Sequence, residues 1–158
     1  MDYDTGVMLA VRAAEYFYAT VQDRPGQAAE LLSLLAAGGV GLLAFSIVPT
    51  GPTHTQLMLF PESSQQLLST AKRAGLELTG PQNALLVQGD NELGGLLEIH
   101  KALAEANINV YASSGVTDTR GGFGYVLYVR PEDFKQAAAV VGVSGSVPSW
   151  RPGGPLKP

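Results

Sequence analysis

The tetrapeptide Asp23-Arg24-Pro25-Gly26 stands where a β-branched and aromatic run, Tyr16 to Val21, gives way to leucines at helical spacing. Where a strand runs into a helix, the first amide groups have no intrahelical partner and the helix dipole adds partial positive charge. Such a turn can hold a carboxylate. Asp23 has the chemistry of a cap acceptor, Pro25 gives up no needed N–H at a first helical position, and Gly26 lets a ligand or another backbone come close. The chemistry implied is capture of a small anionic or zwitterionic molecule. Taken alone, the same four residues also make an ordinary helix start.

The other candidates are weaker. His54 and His100 have no His or carboxylate three or four positions on, so neither has metal-binding spacing. His100 is expected to border the core or an interface. Asp118 to Gly124, DTRGGFG, lacks the spacing of a phosphate loop and opens into a strand, so it reads as a hairpin turn with Arg120 as a weak partner for a ligand carboxylate. Ser113 and Ser114 have no motif-level base or oxyanion partner. No acid, base and nucleophile cluster emerges, and no enzyme, metal or cofactor is expected. With no cysteine there is no thiolate nucleophile and no disulfide framework.

Composition bounds the partners. Hydrophobic residues make up 46% of the 158 and charged ones 15%, against about 25% charged in an average soluble domain. That supplies a core and suggests that surface is buried against another subunit. A formal net charge of −4, with ten Lys and Arg forming no run, offers phosphate backbones nothing to hold, so nucleic acid is not a partner. Leu31 to Val48 carries no charge and approaches the length of a membrane span. Its glycines 38, 39 and 41 would weaken a spanning helix by about 1 kcal/mol each, whereas they suit a helix end and a turn. No membrane partner is expected. The acidic start MDYDTGV is unlike a signal peptide and points to the cytoplasm.

The elements that position these residues occur twice. Shifted by 68 positions, Gly26 falls on Gly94, Leu31 on Ile99, Leu35 on Leu103, Ala36 on Ala104, Val40 on Ile108 and Leu42 on Val110. Further on, Pro61-Glu62 matches Pro131-Glu132, an offset of 70 that implies a longer loop in the second copy. First strands are read at Tyr16 to Val21 and Ala84 to Val87. Helices opened by Pro25 or Gly94 are stopped at Gly38-Gly39 or Asn107. Strands follow at Val40 to Val48 and Ile108 to Val116, then Gln56 to Phe60 and Tyr125 to Arg130. Second helices carry apolar faces of Leu67, Leu68 and Ala71, or Phe134, Ala137, Ala138 and Val141. Last strands are read at Leu76 to Leu78 and, less clearly, Val143 to Val147. This order predicts an α+β fold of two tandem ferredoxin-like (βαββαβ) units, each an antiparallel sheet with helices on one face. The boundaries are 15–80 and 81–147, with a Pro/Gly-rich tail over 148–158; residues 1–14 read as either a short helix or an added strand.

Asp23-Arg24-Pro25-Gly26, the leucine-patterned helix, and the glycine and aliphatic residue opening the next strand together resemble the signature of the ACT domain, a regulatory module of amino-acid metabolism. The resemblance covers residues 15 to 145 and is strongest to small stand-alone proteins made of two ACT repeats. It implies amino-acid binding where ACT units meet, a homodimer, and a possible client enzyme. It also implies contact with the ligand from Asp23, Arg24, Pro25, Gly26 and Gly39 in the first copy, and from Asn91, Leu93 and Gly94 in the second. An Asn after the aliphatic residue opening the second strand would join them. That place is held by Gly41 in the first copy and Asn109 in the second. Asn91 and Asn109 suit a zwitterion, since an amide both accepts from an ammonium and donates to a carboxylate. Because each copy departs from the pattern, a single asymmetric pocket is expected over two equal ones.

Overall fold

The computed structural model describes residues 9–90 and 93–143. Its elements are β1 (Leu9–Gln22), α1 (Gln27–Ala37), β2 (Leu42–Pro49), β3 (His54–Pro61), α2 (Ser64–Ala74), β4 (Thr79–Asp90), α3 (Leu93–Glu105), β5 (Val110–Thr117), β6 (Gly122–Val129), a 3-10 turn at Pro131–Asp133, and α4 (Phe134–Val140). The fold is α+β, and the pairings β1 with β3, β2 with β3, β4 with β6 and β5 with β6 are all antiparallel. The described residues divide into two compact bodies, one of Glu15–Gln82 and one that joins residues 9–14 to 83–90 and 93–143.

In the first body β3 lies between β2 and β1, with Phe17 opposite Leu59 and Phe45 opposite Leu59 on the other side. The start of β4 flanks β1, where the Tyr16 hydroxyl donates to Gln82 Oε1 at 2.9 Å. Alternation along β1 and β3 sends Phe17, Leu57 and Leu59 to one face, where they meet Leu31 and Leu35 of α1 and Leu67 of α2. Leu68 does not join them: it is 45% exposed, because one residue's step turns it a hundred degrees from Leu67. The opposite face also holds buried groups, Tyr16 and Phe60, whose rings stack at 5.0 Å.

In the second body β6 lies between β4 and β5. Leu85, Val87, Leu127 and Val129 pack with Ile99 and Leu103 of α3 and Ala137 of α4. Leu9 and Val11 pack against this same core. The stretch 9–14 is thus strand, and it serves the second body.

Several sequence expectations need correcting. Leu76 to Leu78 form no strand; the chain pairs only from Thr79. The Leu76 N–H is drawn to Ala71 O at 2.9 Å, closing α2, so this run belongs to the helix end. The offset of 68 also persists through the second hairpin: Leu42 pairs with Pro61 as Val110 pairs with Val129, and Pro49 with Thr55 as Thr117 with Phe123. The two added residues lie after β6, in the 3-10 turn, and not in the hairpin. Both copies slip register at the same place, between Leu42 and Ala44 and between Val110 and Ala112. Val143 closes α4 through its N–H to Ala138 O at 2.9 Å, and the rest of the run expected as a last strand, with the 148–158 tail, lies outside the described residues.

Among the described residues no helix is long and apolar enough to cross a membrane.

Candidate functional site: the strand-to-helix turns

The first turn differs from its sequence reading in a way that matters. α1 begins at Gln27, and its N-cap is Gly26 in the left-handed region at φ 91, with no side-chain cap hydrogen bond. Asp23 is therefore not the cap, and Pro25 is not the first helical residue. The reason is geometric: the left-handed Gly26 makes the bend, so the helix begins at Gln27, two residues later than a start led by Pro25. The first intrahelical bond runs from Glu30 N–H to Gly26 O at 2.9 Å. The Gln27 N–H turns back to Arg24 O at 3.5 Å, and no side chain caps the amides that follow, of Ala28 and Ala29.

Asp23 has a different task. Its backbone N–H donates to Thr53 O at 2.9 Å, tying the turn to the β2–β3 hairpin. Arg24 folds back over its own helix, with Nη2 3.6 Å from Glu30 Oε2 and the guanidinium beside the Gln27 side-chain amide oxygen. Residues 23–26 are all exposed. A Cβ built on Gly26 would meet nothing within 4 Å, so the turn is open.

The glycines at the far end of α1 are structural. Gly39 at φ 69 donates to Ala36 O at 3.0 Å and Val40 to Leu35 O at 2.9 Å, the paired closure of a Schellman motif. Asn107 at φ 58 makes the same closure for α3 through Ala104 O and Leu103 O. Gly38 admits α2: a Cβ there would lie 2.4 Å from Thr70 Cγ2, and Gln66 Nε2 donates to Gly38 O at 3.1 Å. A Cβ on Gly41 would lie 2.5 Å from a carboxylate oxygen of Glu62, so that position is filled by Glu62. Gly39 and Gly41 are thus held by packing at the end of α1 opposite Gly26.

In the second copy Asn91 lies outside the described residues. Leu93 opens α3, and Gly94 is its second residue. Asn109 is exposed just before β5. It follows the C-terminal closure of α3, whereas Leu93 and Gly94 form the helix's start.

A polar set absent from the sequence reading appears in the second body. His100 Nε2 lies 3.1 Å from the Tyr125 hydroxyl, which donates to Ser113 Oγ at 2.8 Å. The His100 and Tyr125 rings meet edge to face at 5.9 Å. On the other face of β6, Tyr128 sits 6.4 Å from Tyr111, and burial, with the added effect of Tyr111, pushes its phenol up to about 12. Among the described residues no group of three or more His, Cys, Asp or Glu is placed to hold a metal ion.

The architecture has parallels among solved structures. Protein BT0572 from Bacteroides thetaiotaomicron superposes with a TM-score of 0.69 at 14% identity, covering 83% of this chain and 88% of that one. The regulatory subunit of aspartate kinase from Thermus thermophilus, in its ligand-free form, gives 0.56 at 18% identity over 87% of this chain and 95% of that one. The regulatory subunit of aspartate kinase from Thermus flavus gives 0.58 at 19%, with the same coverage. At these identities the likeness is one of fold. No protein-family model matches the chain, and no curated protein matches it significantly.

The signal for the polar set lay in the repeat itself. At the offset of 68, His100, Ser113 and Tyr125 stand where the first copy has Leu32, Phe45 and Leu57. Three apolar positions of the first copy are thus polar in the second, on three different elements.

Proposed function

We propose that this chain is a non-enzymatic regulatory protein of ACT type, binding an amino acid or related small carboxylate at its strand-to-helix turns. It acts in the cytoplasm as a homodimer or as the regulatory partner of a client enzyme. The observation that carries this reading is the exposed, left-handed Gly26 at the head of α1, where no side chain caps the helix. Open amides and the positive end of the dipole favour a carboxylate there. The likeness in fold to regulatory subunits of aspartate kinase supports a regulatory role. The expected contacts are Asp23, Arg24, Pro25 and Gly26 of the first turn, with Asn91, Leu93, Gly94 and Asn109 of the second copy.

A calorimetric screen of the twenty amino acids tests this. The expected result is saturable heat from one or a few of them, weakened by Gly26→Ala and Asn109→Ala without change in the association state measured by light scattering. No heat from any of the twenty contradicts the reading. A second reading, an interaction adaptor without a ligand, is favoured by β5, which among the described residues of its body is bonded only to β6 and is exposed from Tyr111 to Thr117. In that case the same substitutions disturb assembly alone.

A further inference from the structure

We infer that His100, Tyr125 and Ser113 form a second seat for a small carboxylate, separate from the strand-to-helix turns and present only in the second body. His100 lies seven residues into α3, about 10 Å along the helix from its start. The direction of the bonds sets what the seat accepts. A phenol has one hydrogen, and Tyr125 gives it to Ser113 Oγ at 2.8 Å. Toward His100, 3.1 Å away, the Tyr125 oxygen can then only accept, an arrangement that matches the imidazole tautomer with its hydrogen on Nε2. Ser113 receives a bond and keeps its own hydrogen for an outside acceptor. Every donor in the chain points the same way, out of α3 and toward β5. A chain of donors headed by an imidazole, and ending on a free hydroxyl, suits an anionic oxygen, because charge-assisted bonds are the strong ones.

The first body serves as an internal control for space. There Phe45 and Leu57 pack against the core, and Leu57 is fully buried. Ser113 replaces Phe45, and Gly115 replaces Ile47. Loss of the Phe45 side chain opens the strand: residues 111–114 are exposed, whereas their counterparts 43–46 are half-buried, and 47–49 and 115–117 are exposed in both copies. Gly115 also lets the Tyr125 ring lie on the strand, since a Cβ there would be 2.5 Å from the ring. The acid of the neighbouring hairpin, Asp118, does not compete for the donors. Its Oδ1 accepts from Arg120 N–H at 2.7 Å and Gly122 N–H at 2.9 Å.

The test uses the whole chain, with succinate as the probe and succinamide as its neutral counterpart, read from the His100 and Tyr125 ring signals by NMR. The expected result is saturable shifts of both rings with succinate, at least tenfold weaker binding of succinamide, about ten- to hundredfold loss on Ser113→Ala, the worth of one bond to a charged group, and a smaller loss on Tyr125→Phe, which reaches the anion only through Ser113. Ser113 is exposed, so its replacement by alanine leaves the fold intact. Installing the first copy's residues, with His100→Leu, Ser113→Phe and Tyr125→Leu together, is expected to abolish the response. Equal binding of the two probes, undiminished affinity in both single variants, or succinate shifts confined to the amides around Gln27 would overturn the inference. The last outcome would leave the turn reading standing; amino-acid binding at the turns without any ring response would do the same.

Discussion

In the proposed site Gly26 matters for what it lacks: a side chain would cost backbone strain at φ 91 and would stand in the open turn. Other residues at this scale make sharper tests of structure. Gly38 has an ordinary backbone but no room, so Gly38→Ala is expected to destabilise by about 1–3 kcal/mol through overpacking on Thr70. Urea denaturation of Gly38→Ala, Thr70→Ala and the double variant should show the double less destabilised than the sum of the singles. Asp118 gives a pH signature. Its carboxyl is held below the usual range first by the Gly122 amide, then by that of Arg120. A depressed folded value stabilises above the unfolded pKa and is lost as pH falls through the folded one. Asp118→Asn should therefore lower the urea midpoint at neutral pH, with the difference vanishing in acid below that depressed value. The motif Asp23 to Gly26 was legible at this scale, while its detail was not. Spacing cannot distinguish a proline-led helix start from one begun on a left-handed glycine, since both sequences read alike. His100, Ser113 and Tyr125 escaped because they are distant in sequence and match no motif; only the comparison of copies exposes them.

The elements were the most legible level, because leucine spacing at 3.6 and alternation at 2 depend on burial alone. Leu31, Leu35, Ile99 and Leu103 all reach the cores that their spacing predicts. Boundaries failed where competing bonds decide. Leu76 to Leu78 look like a strand, but the N–H of Leu76 is spent on closing α2. Pro131-Glu132 looks like Pro61-Glu62, but the strand register keeps the hairpins equal in length and moves the extra residues to the start of α4. Burial then separates neighbours on one helix. Leu103→Ala is expected to cost about 2–5 kcal/mol through the cavity it leaves. Leu97→Ala, at a side chain 54% exposed, should shift the urea midpoint little. Similar losses for the two would mean that α3 packs by a different face.

Across the whole molecule, the two bodies share their helix closures and register slips, while α1 begins at Gln27 and α3 at Leu93, two residues apart at the offset of 68. The repeat was readable in the sequence as the offset of 68, and so was the inequality of the two turns, Asp23-Arg24-Pro25-Gly26 against Asn91-Glu92-Leu93-Gly94. The membership of Leu9 to Ala14 in the second body was not, because a six-residue strand has no partner visible in sequence. The most direct measurement is a backbone amide NMR titration of the whole chain with the amino acids. The account predicts saturable shifts of Gln27, Ala28 and Ala29 at the head of α1, abolished in Gly26→Ala. Amides of α1 that stay unmoved while the protein binds an amino acid elsewhere, or binds none, would contradict it.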